Sequence, residues 1–275
     1  MTDLAVEGLV HVYREGSVRA LDGIDLHIGA GERVALIGQN GSGKTTLVRH
    51  LNGLLRPTAG RVMVDGQDAS TMTVAQLASR VGLVFQDPDR QVFAGSVRAE
   101  VEFGPRNLGR SGTDLHDAVA AALDVTGLTG DEATNPYDLG MARRKLLALA
   151  SVLAMRTPVL VLDEPTTGQD ARGVERVRTV VKDAATDGRT VVAISHDMRF
   201  VAETFERVVV LRAGTVILDG SPDDVFAPSS WEALRSTYLE PPLSAVVGER
   251  LGLGSTPTDA HLVHALAGKP SSGAP

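Results

Sequence analysis

The segment GQNGSGKT at residues 38–45 limits the possible folds of this chain more than any other feature of its sequence. It fits the phosphate-loop pattern at its four defining positions, Gly38, Gly43, Lys44 and Thr45. Glycines let the backbone adopt positive φ angles and turn its N–H groups toward phosphate oxygens. The strand-like run ERVALIG leads into the segment and a helical pattern follows it, as phosphate binding at a helix N-terminus requires. An ordinary Gly-rich turn would not need both flanks, so we predict a nucleotide phosphate site.

The side chains of this segment have distinct expected roles. Lys44 would reach the β- and γ-phosphates, and the Thr45 hydroxyl would hold Mg²⁺. The predicted nucleotide contacts in and after the loop are Gly38, Gln39, Asn40, Gly41, Ser42, Gly43, Lys44, Thr45 and Thr46.

A second run, VLVLDEP at residues 159–165, places two adjacent carboxylates at the end of an apolar strand. Open parallel sheets bind ligands at the carboxyl ends of their strands, so both side chains are candidates for the same site. Adjacent strand residues point to opposite faces, which predicts different tasks for the two. Asp163 would bind Mg²⁺ through its water shell, and Glu164 would polarise the attacking water as general base. The alternative is a strand end that is merely solvated.

Three further side chains are candidates for this site. Gln86 ends a strand-like run, where its neutral side chain could touch Mg²⁺ and the attacking water. His196 ends another such run and could contact the γ-phosphate, and Tyr13 could stack on a base. Each also has a purely structural interpretation, as a strand-end glutamine, a satisfied histidine and a half-buried core aromatic.

The order of strand-like and helical patterns predicts an α/β fold, a P-loop NTPase core with a mixed, largely parallel sheet. Strand patterns dominate the first quarter and the later chain, whereas helical spacing dominates residues 87–153. We therefore predict a main domain over residues 1–228 with an inserted helical subdomain at about 87–153. A small helical extension at 229–268 and a disordered tail at 269–275 would follow.

Composition excludes several classes of function. The chain has no cysteine, which excludes disulfides, zinc–thiolate sites and thiol catalysis. Its longest apolar runs, VLVL and VVVL, are too short to cross a bilayer, and its first residues do not resemble a secretory signal. The net charge of -7 provides no general attraction for nucleic acid. We expect a soluble cytoplasmic protein that does not bind nucleic acid.

Several of these features, in this order, resemble the nucleotide-binding subunits of ATP-binding cassette (ABC) transporters: Tyr13, GQNGSGKT, Gln86, VLVLDEPTTGQD and His196. The resemblance implies an ATPase that uses ATP and Mg²⁺. It assigns adenine stacking to Tyr13, the Q-loop to Gln86 and the switch histidine to His196. It also implies head-to-tail dimers, in which each ATP lies between the phosphate loop of one subunit and a signature loop of the other.

Two loops that meet the partner subunit in this family differ here from the usual sequence. The D-loop corresponds to Gly168, Gln169 and Asp170. Its middle residue, Gln169, stands where leucine is usual. The signature loop, usually leucine-serine-glycine-glycine-glutamine, corresponds to Leu139, Gly140, Met141, Ala142 and Arg143. The serine hydroxyl is absent, but a helix starting near Gly140 would still present free N–H groups to an anion.

Positive charge follows this loop at Arg143, Arg144 and Lys145. On the first turn of a helix these side chains oppose the helix dipole. We consider two interpretations, a contact with phosphate or with acidic residues of a partner, and plain solvation on an exposed helix.

A changed signature loop has its consequence in the neighbouring subunit. It would weaken the composite site that contains the partner's phosphate loop, because each signature loop completes the site of the other subunit. A subunit with an intact signature would complete the site that contains Lys44 and Glu164. We therefore favour a heterodimer with a second ABC ATPase subunit over a homodimer.

The segment at residues 81–109 looks like the ATPases of energy-coupling factor transporters, importers of vitamins and of cobalt or nickel ions. In that group a similar PDxQxF run follows the Q-loop and FGPxNLG comes next. The resemblance implies a transmembrane coupling subunit, a substrate-binding membrane subunit and a peripheral position on the cytoplasmic face of the membrane. Residues 239–268 look like that group's dimerisation extension, and a generic amphipathic appendage would fit as well.

Other functions remain open at this point. One is the ATPase subunit of another ABC transporter class, or a non-transport ABC ATPase, although the long insertions usual in the latter are not evident. A kinase or GTPase is disfavoured by the adjacent Asp163 and Glu164 together with Gln86 and His196. A non-catalytic nucleotide-sensing partner is disfavoured by the intact phosphate loop and carboxylate pair.

Overall fold

The computed structural model describes residues 2–13 and 18–268, so the predicted disordered tail at 269–275 lies outside the described residues. The strands are β1 Leu4–Val12, β2 Arg19–Ile28, β3 Arg33–Ile37, β4 Ala59–Val64, β5 Gln67–Asp68, β6 Val81–Val84, β7 Val159–Asp163, β8 Thr190–Ile194, β9 Arg207–Arg212 and β10 Thr215–Gly220. The helices are α1 Lys44–Leu51, α2 Val74–Ala78, α3 Val97–Asn107, α4 Gly112–Thr126, α5 Met141–Leu153, α6 Ala171–Thr186, α7 Met198–Thr204, α8 Pro222–Val225, α9 Trp231–Arg235, α10 Leu243–Arg250 and α11 Asp259–Gly268.

The larger sheet has the strand order β10-β9-β3-β8-β7-β6. The strands from β9 to β6 are parallel, and β10 pairs antiparallel at one edge. This arrangement confirms the predicted α/β fold with a mixed, largely parallel sheet. Leu36 pairs with Ile194, which pairs in turn with Asp163. The carboxyl ends of β3, β8 and β7 therefore lie side by side, at the edge where parallel sheets bind ligands.

Apolar side chains cover both faces of this sheet. In β7, Val159 and Val161 pack into a core shared with α1 and the smaller sheet, whereas Leu160 and Leu162 pack into the core formed with α4, α5 and α6. Strands that are buried on both faces have continuous apolar sequences, which explains the run VLVL in place of an alternating pattern.

A smaller antiparallel sheet has the strand order β2-β1-β4-β5. A turn at Asp65 and Gly66, both at positive φ, joins β4 to β5 as the run RVMVDG predicts. Leu9 and Leu26 of this sheet share a core with Leu47 of α1. The smaller sheet thus covers the helix that follows the phosphate loop.

Helices α3, α4 and α5 follow β6 and precede β7 in the chain, and they pack on one another. They confirm the predicted inserted helical subdomain, while its boundaries and those of the other domains stay predictions. Within residues 87–153, the apolar spacing is clear in LHDAVAAALDVTGL and RKLLALASVLAM, which form α4 and α5, but not in α3, whose last turn contains Pro105. Proline lacks an N–H group and usually interrupts a helix, so the run FGPRN has no clear helical pattern.

The apolar spacing of Leu47, Leu51 and Leu54 predicts a helix that continues to Leu54 after the phosphate loop, but the helix is shorter. Helix α1 ends at Leu51, and Leu54 lies beyond it with 46% of its surface exposed. Gly53 has a φ of 76°, the left-handed conformation in which helices commonly end. A Cβ at this glycine would lie 2.5 Å from Leu77 Cδ1, so packing against α2 also favours glycine.

The C-terminal part of the described chain consists of α8 to α11. Trp231 donates from its indole nitrogen to Phe226 O at 2.8 Å. Leu243 on α10 and Val263 and Leu266 on α11 are exposed apolar residues. No helix within residues 2–13 and 18–268 is long and apolar enough to span a membrane.

Candidate functional site

The phosphate loop folds tightly between β3 and α1, and its glycines lie where a side chain would not fit. Gly38 and Gly43 have φ angles of 146° and 106°. A Cβ at Gly38 would lie 2.2 Å from Leu211 O, and one at Gly43 would lie 2.5 Å from Ala20 O. The loop therefore requires glycine at both positions, and it leads directly into the N-terminus of α1.

Lys44, the first residue of α1, is buried, with only 8% of its surface exposed. Its Nζ donates to Gly38 O at 2.6 Å and to Gln39 O at 2.9 Å. Burial lowers the pKa of Lys44, and the nearby carboxylates of Glu164 and Asp163 oppose this effect. The ammonium group is thus held by the loop and lies in the field of Glu164, the predicted general base, and Asp163, a predicted Mg²⁺ ligand.

Asp163 and Thr45, two of the three predicted Mg²⁺ ligands, contact each other. Thr45 Oγ1 donates to Asp163 Oδ2 at 3.2 Å. The other carboxylate oxygen, Oδ1, is buried and has no hydrogen-bond partner among the described residues. Burial raises the pKa of Asp163, and the bond from Thr45 partly opposes this. Mg²⁺ prefers oxygen ligands and commonly uses one or two carboxylates, so the unpaired Oδ1 fits a metal ligand.

Glu164 has different partners. His196 Nδ1 and Glu164 Oε2 lie 2.7 Å apart, and Thr167 Oγ1 donates to the same oxygen at 3.3 Å. The φ of Glu164 is 51°, so the chain leaves the strand conformation directly after β7. Non-glycine residues in this conformation cluster at functional sites. Separate partners for Asp163 and Glu164 agree with the prediction that they have separate tasks.

Tyr13 and Gln86 line the same cleft as the phosphate loop and the carboxylates. The other residues that line it are Val18, Ala20, Asn40, Gly41, Gly43, Lys44, Thr45, Thr46, Asp163, Glu164 and Ile194. Tyr13 is 40% exposed, and its hydroxyl lies 3.0 Å from Thr46 Oγ1. The structure therefore brings the predicted base, phosphate and carboxylate residues together at one edge of the larger sheet, with His196 joined to them through Glu164.

The predicted signature loop leads into a helix. Helix α5 begins at Met141, with Gly140 as its N-cap, and no side chain caps it. The N–H groups of the first turn therefore have no side-chain acceptor from the cap residue. Leu139 is buried, whereas half of the Met141 surface is exposed.

The arginines on the first turn of α5 form ion pairs with acidic residues of the same chain. Arg143 pairs with Asp131, and Arg144 Nη1 donates to Asp89 Oδ1 at 2.8 Å. Asp131 lies 12 positions before Arg143, whereas Asp89 lies in a short 3-10 helix, Pro88–Arg90, 55 positions before Arg144. Both arginines are paired within their own chain, although 48% of the Arg143 side chain is exposed, and a contact with phosphate or with acidic residues of a partner stays a prediction.

Two side-chain hydrogen bonds join the start of α5 to the predicted D-loop and to Thr167 directly before it. Gln169 Nε2 donates to Ala142 O at 2.9 Å, and Lys145 Nζ donates to Thr167 O at 2.9 Å. Asp170 caps the N-terminus of α6. The leucine that is usual at position 169 could not donate such a bond, so this link between the signature and D-loop segments depends on the glutamine.

Lys145 and Thr167 lie beside Glu164, a role that the sequence analysis did not assign to either of them. Burial lowers the pKa of Lys145, and the carboxylates of Glu164 and Asp163 oppose this. Thr167 holds Glu164 with its hydroxyl and Lys145 with its carbonyl. In the sequence, Lys145 is the third of three consecutive basic residues, and Thr167 lies in the polar segment TTGQD. Only their positions in space distinguish them.

Comparison with known proteins identifies similar sequences. The family profile described as ABC transporter matches residues 21–167. The energy-coupling factor transporter ATP-binding protein EcfA of Methanothermobacter thermautotrophicus is 38% identical over 261 residues, which are 94% of this chain and 83% of EcfA. A putative ABC transporter ATP-binding protein of Methanosarcina mazei is 44% identical over 208 residues, 76% of this chain. This chain spans 42% of the length of that relative and of a second from Caldanaerobacter subterraneus subsp. tengcongensis.

Solved structures share the fold. The structure of cbiO1 from Clostridium perfringens, described as part of the ABC transporter complex cbiONQ, matches with a TM-score of 0.75 and 34% identity. The match covers 90% of this chain and 98% of cbiO1. A dimeric, post-hydrolysis structure of the ATP-binding cassette MJ0796 bound to ADP and Pi matches with a TM-score of 0.72 and 25% identity, covering 79% of this chain and 98% of that one.

Proposed function

Because the chain belongs to the ATP-binding family of ABC transporters and is an ABC-type ATPase, we propose that it powers an importer of the energy-coupling factor type, for a vitamin or a transition-metal ion. Its likeness to EcfA and cbiO1 supports this class. The observation on which the proposal rests most is one cluster at the sheet edge, where Thr45 contacts Asp163 and His196 contacts Glu164.

Glu164 is the proposed general base for the water that attacks the γ-phosphate. Contacts with His196 and Thr167 hold its carboxylate in one orientation, as transfer of a proton from a positioned water requires. Lys44 and the N–H groups of the phosphate loop would bind the phosphate oxygens, where negative charge develops during phosphoryl transfer. His196 would contact the γ-phosphate, and Tyr13 would stack on adenine.

Thr45, Asp163 and Gln86 are the proposed Mg²⁺ ligands. The buried, unpaired Oδ1 of Asp163 supports this assignment because a bound cation would satisfy it. When bound, the ion would neutralise charge on the β- and γ-phosphates.

The signature loop is the basis for proposing unequal ATP sites in a heterodimer. Gly140 supplies no hydroxyl, and the side chain at Met141 occupies the surface that a glycine would leave open. Both departures affect the site that contains the partner's phosphate loop. The site that contains Lys44 and Glu164 would instead depend on the partner's signature loop.

We expect the tagged full-length chain to co-purify from its native host with a second, different ABC ATPase and with two membrane proteins. Reconstituted with that ATPase, it should hydrolyse ATP much faster than it does alone, because the second subunit supplies a complete signature loop. Mass spectrometry of the purified complex and ATPase assays of each combination provide the measurement. The heterodimer is contradicted if this chain alone forms an ATP-dependent dimer with full transport-coupled activity.

An exposed aromatic pair supports a docking surface for the transmembrane coupling subunit. Phe93 and Phe103 are 59% and 48% exposed, and their rings contact edge to face at 4.8 Å. The buried carboxylate of Glu100 accepts the N–H groups of Phe93 and Ala94, which fixes this loop against α3. Aromatic residues on a fixed support are typical anchors of protein interfaces. A transporter bound here would hold the ATPase at the cytoplasmic face of the membrane.

Replacing Phe103 with Glu should lower recovery of the membrane subunits about tenfold. Loss of an aromatic anchor commonly weakens the affinity between two proteins at least that much. The ATPase activity of the isolated chain should be unchanged, since Phe103 lies outside the nucleotide cleft. Val74→Glu is the matched control, because Val74 is 51% exposed on α2, outside the helical subdomain. Equal recovery of the membrane subunits with both variants would contradict the assigned surface.

The exposed apolar residues of α10 and α11 support a dimerisation role for the C-terminal extension.

The alternative functions are the ATPase subunit of another ABC transporter class and a non-transport ABC ATPase. The co-purification experiment distinguishes them, because only an importer of the proposed type would bring down both a coupling subunit and a separate substrate-binding membrane protein.

A further inference from the structure

Two buried histidines lie beside the nucleotide cleft and have no part in the proposed chemistry. His11 on β1 and His50 on α1 are 8% and 1% exposed. His50 Nε2 and His11 Nδ1 lie 3.1 Å apart, and the two rings meet edge to face with centroids 4.7 Å apart. The pair therefore joins the first strand of the smaller sheet to the helix that follows the phosphate loop.

The backbone acceptors determine which ring nitrogens carry protons. His50 Nδ1 lies 2.7 Å from Thr46 O, and His11 Nδ1 lies 3.3 Å from Arg56 O. A carbonyl oxygen can only accept, so both Nδ1 atoms carry hydrogen. His11 Nδ1 then shares its one hydrogen between Arg56 O and His50 Nε2, which both accept, so the contacts are compatible with two neutral rings. Burial also lowers the pKa of His50, which favours the neutral ring.

The same pair contacts the residue proposed to stack on adenine. The rings of His11 and Tyr13 meet edge to face, with centroids 4.7 Å apart and planes at 83°. The Tyr13 hydroxyl in turn lies 3.0 Å from Thr46 Oγ1. Contacts therefore run in a closed loop from Tyr13 through His11 and His50 to Thr46 and back to Tyr13. Thr46 lies directly after Lys44 and Thr45.

We propose that His11 and His50 are positioning residues, which hold the Tyr13 ring at a fixed place relative to the phosphate loop. This assignment rests on the proposed function, in which Tyr13 receives the base. The histidines touch neither base nor phosphate. They hold Tyr13, which stacks on adenine, at a fixed distance from α1, which binds phosphate. One nucleotide can then contact the base subsite and the phosphate subsite at the same time.

Binding of two ligands by the full-length chain tests this role. His50→Leu should weaken binding of Mg-ATP about tenfold, the size expected for loss of one base-stacking contact. Binding of Mg-tripolyphosphate, which has no base, should be unchanged. His116→Leu, the same substitution at an exposed histidine on α4, should change neither. Isothermal titration calorimetry of both ligands, with the unfolding midpoint of each variant, provides the measurement.

A double-mutant cycle separates positioning from general stability. In a chain with Tyr13→Ala, His50→Leu should cause no further loss of ATP affinity, because its effect passes through the tyrosine. His50→Asn keeps a donor near Thr46 O and removes the contact with His11, and it should weaken ATP binding in the same way if the leucine variant does not fold.

Two results would overturn the role of the histidines. One is equal weakening of ATP and tripolyphosphate binding in the His50 variants, and the other is a full effect of His50→Leu in the absence of Tyr13. Unchanged ATP binding in the His50 variants would also overturn it while leaving the proposed function intact. Failure of the wild-type chain to bind ATP would contradict the proposed function itself, and this assignment with it.

Discussion

Replacing Glu164 with Gln is expected to lower the rate of ATP hydrolysis by about 10²- to 10⁴-fold, the usual contribution of a general base. Glutamine has nearly the same shape and can still contact Thr167 and His196, but it does not accept a proton from water. Lys44, Thr45 and Asp163 are unchanged in this variant, so binding of ATP should be retained.

Steady-state phosphate release and equilibrium binding of ATP, measured on the same preparation, check this result in the complex with the partner ATPase. Glu175→Gln is the matched control, since this carboxylate is exposed on α6 and contacts Arg178 rather than the cleft. A Glu164→Gln subunit that hydrolyses ATP at the wild-type rate would show that another group is the base. Equal loss in the Glu175 control would show that the effect is not specific to the site.

Replacing Lys44 with Ala is expected to weaken ATP binding itself, on the order of 100-fold, because charge-assisted hydrogen bonds to phosphate are lost. The ammonium group is a buried cation within the phosphate loop, and it lies in the field of Glu164 and Asp163. Without it, the negative phosphates would approach two carboxylates with less compensating charge.

Titration of ATP into each variant measures the dissociation constant, and the unfolding midpoint shows whether the loop remains folded. Lys182→Ala is the control, because Lys182 is exposed on α6. Since Lys44 Nζ also donates to Gly38 O and Gln39 O, a small loss of stability is compatible with the assignment. ATP affinity within the range of the wild type would exclude Lys44 as a phosphate ligand.

Much of the candidate site could be predicted because its parts are local in sequence. About twenty residues contain the phosphate loop with its glycines, the strand before it and the helix after it. Backbone sterics determine where glycine is needed in such a segment. The run VLVLDEP likewise contains both its strand and its carboxylates. The patterns therefore placed Asp163, Glu164 and Lys44 at strand and helix ends without knowledge of the fold.

The basic residues after the signature loop show where such reasoning stops. Their charge and helical position suggested solvent, phosphate or a partner, and did not indicate that Arg143 and Arg144 pair with Asp131 and Asp89 of the same chain. Asp131 and Asp89 approach α5 only because the chain of the helical subdomain folds back on itself. No local pattern contains that information.

The sequence by itself determined the fold class, the phosphate loop and the two adjacent carboxylates, because these follow from periodicity and from the conformations open to glycine. The tertiary structure decided which distant side chains meet. Thr45 reaches Asp163 across 118 positions of the chain, and His11 reaches His50 across 39. The physical reason is that strand order and loop closure set these distances, and both depend on packing of the whole domain rather than on any short segment.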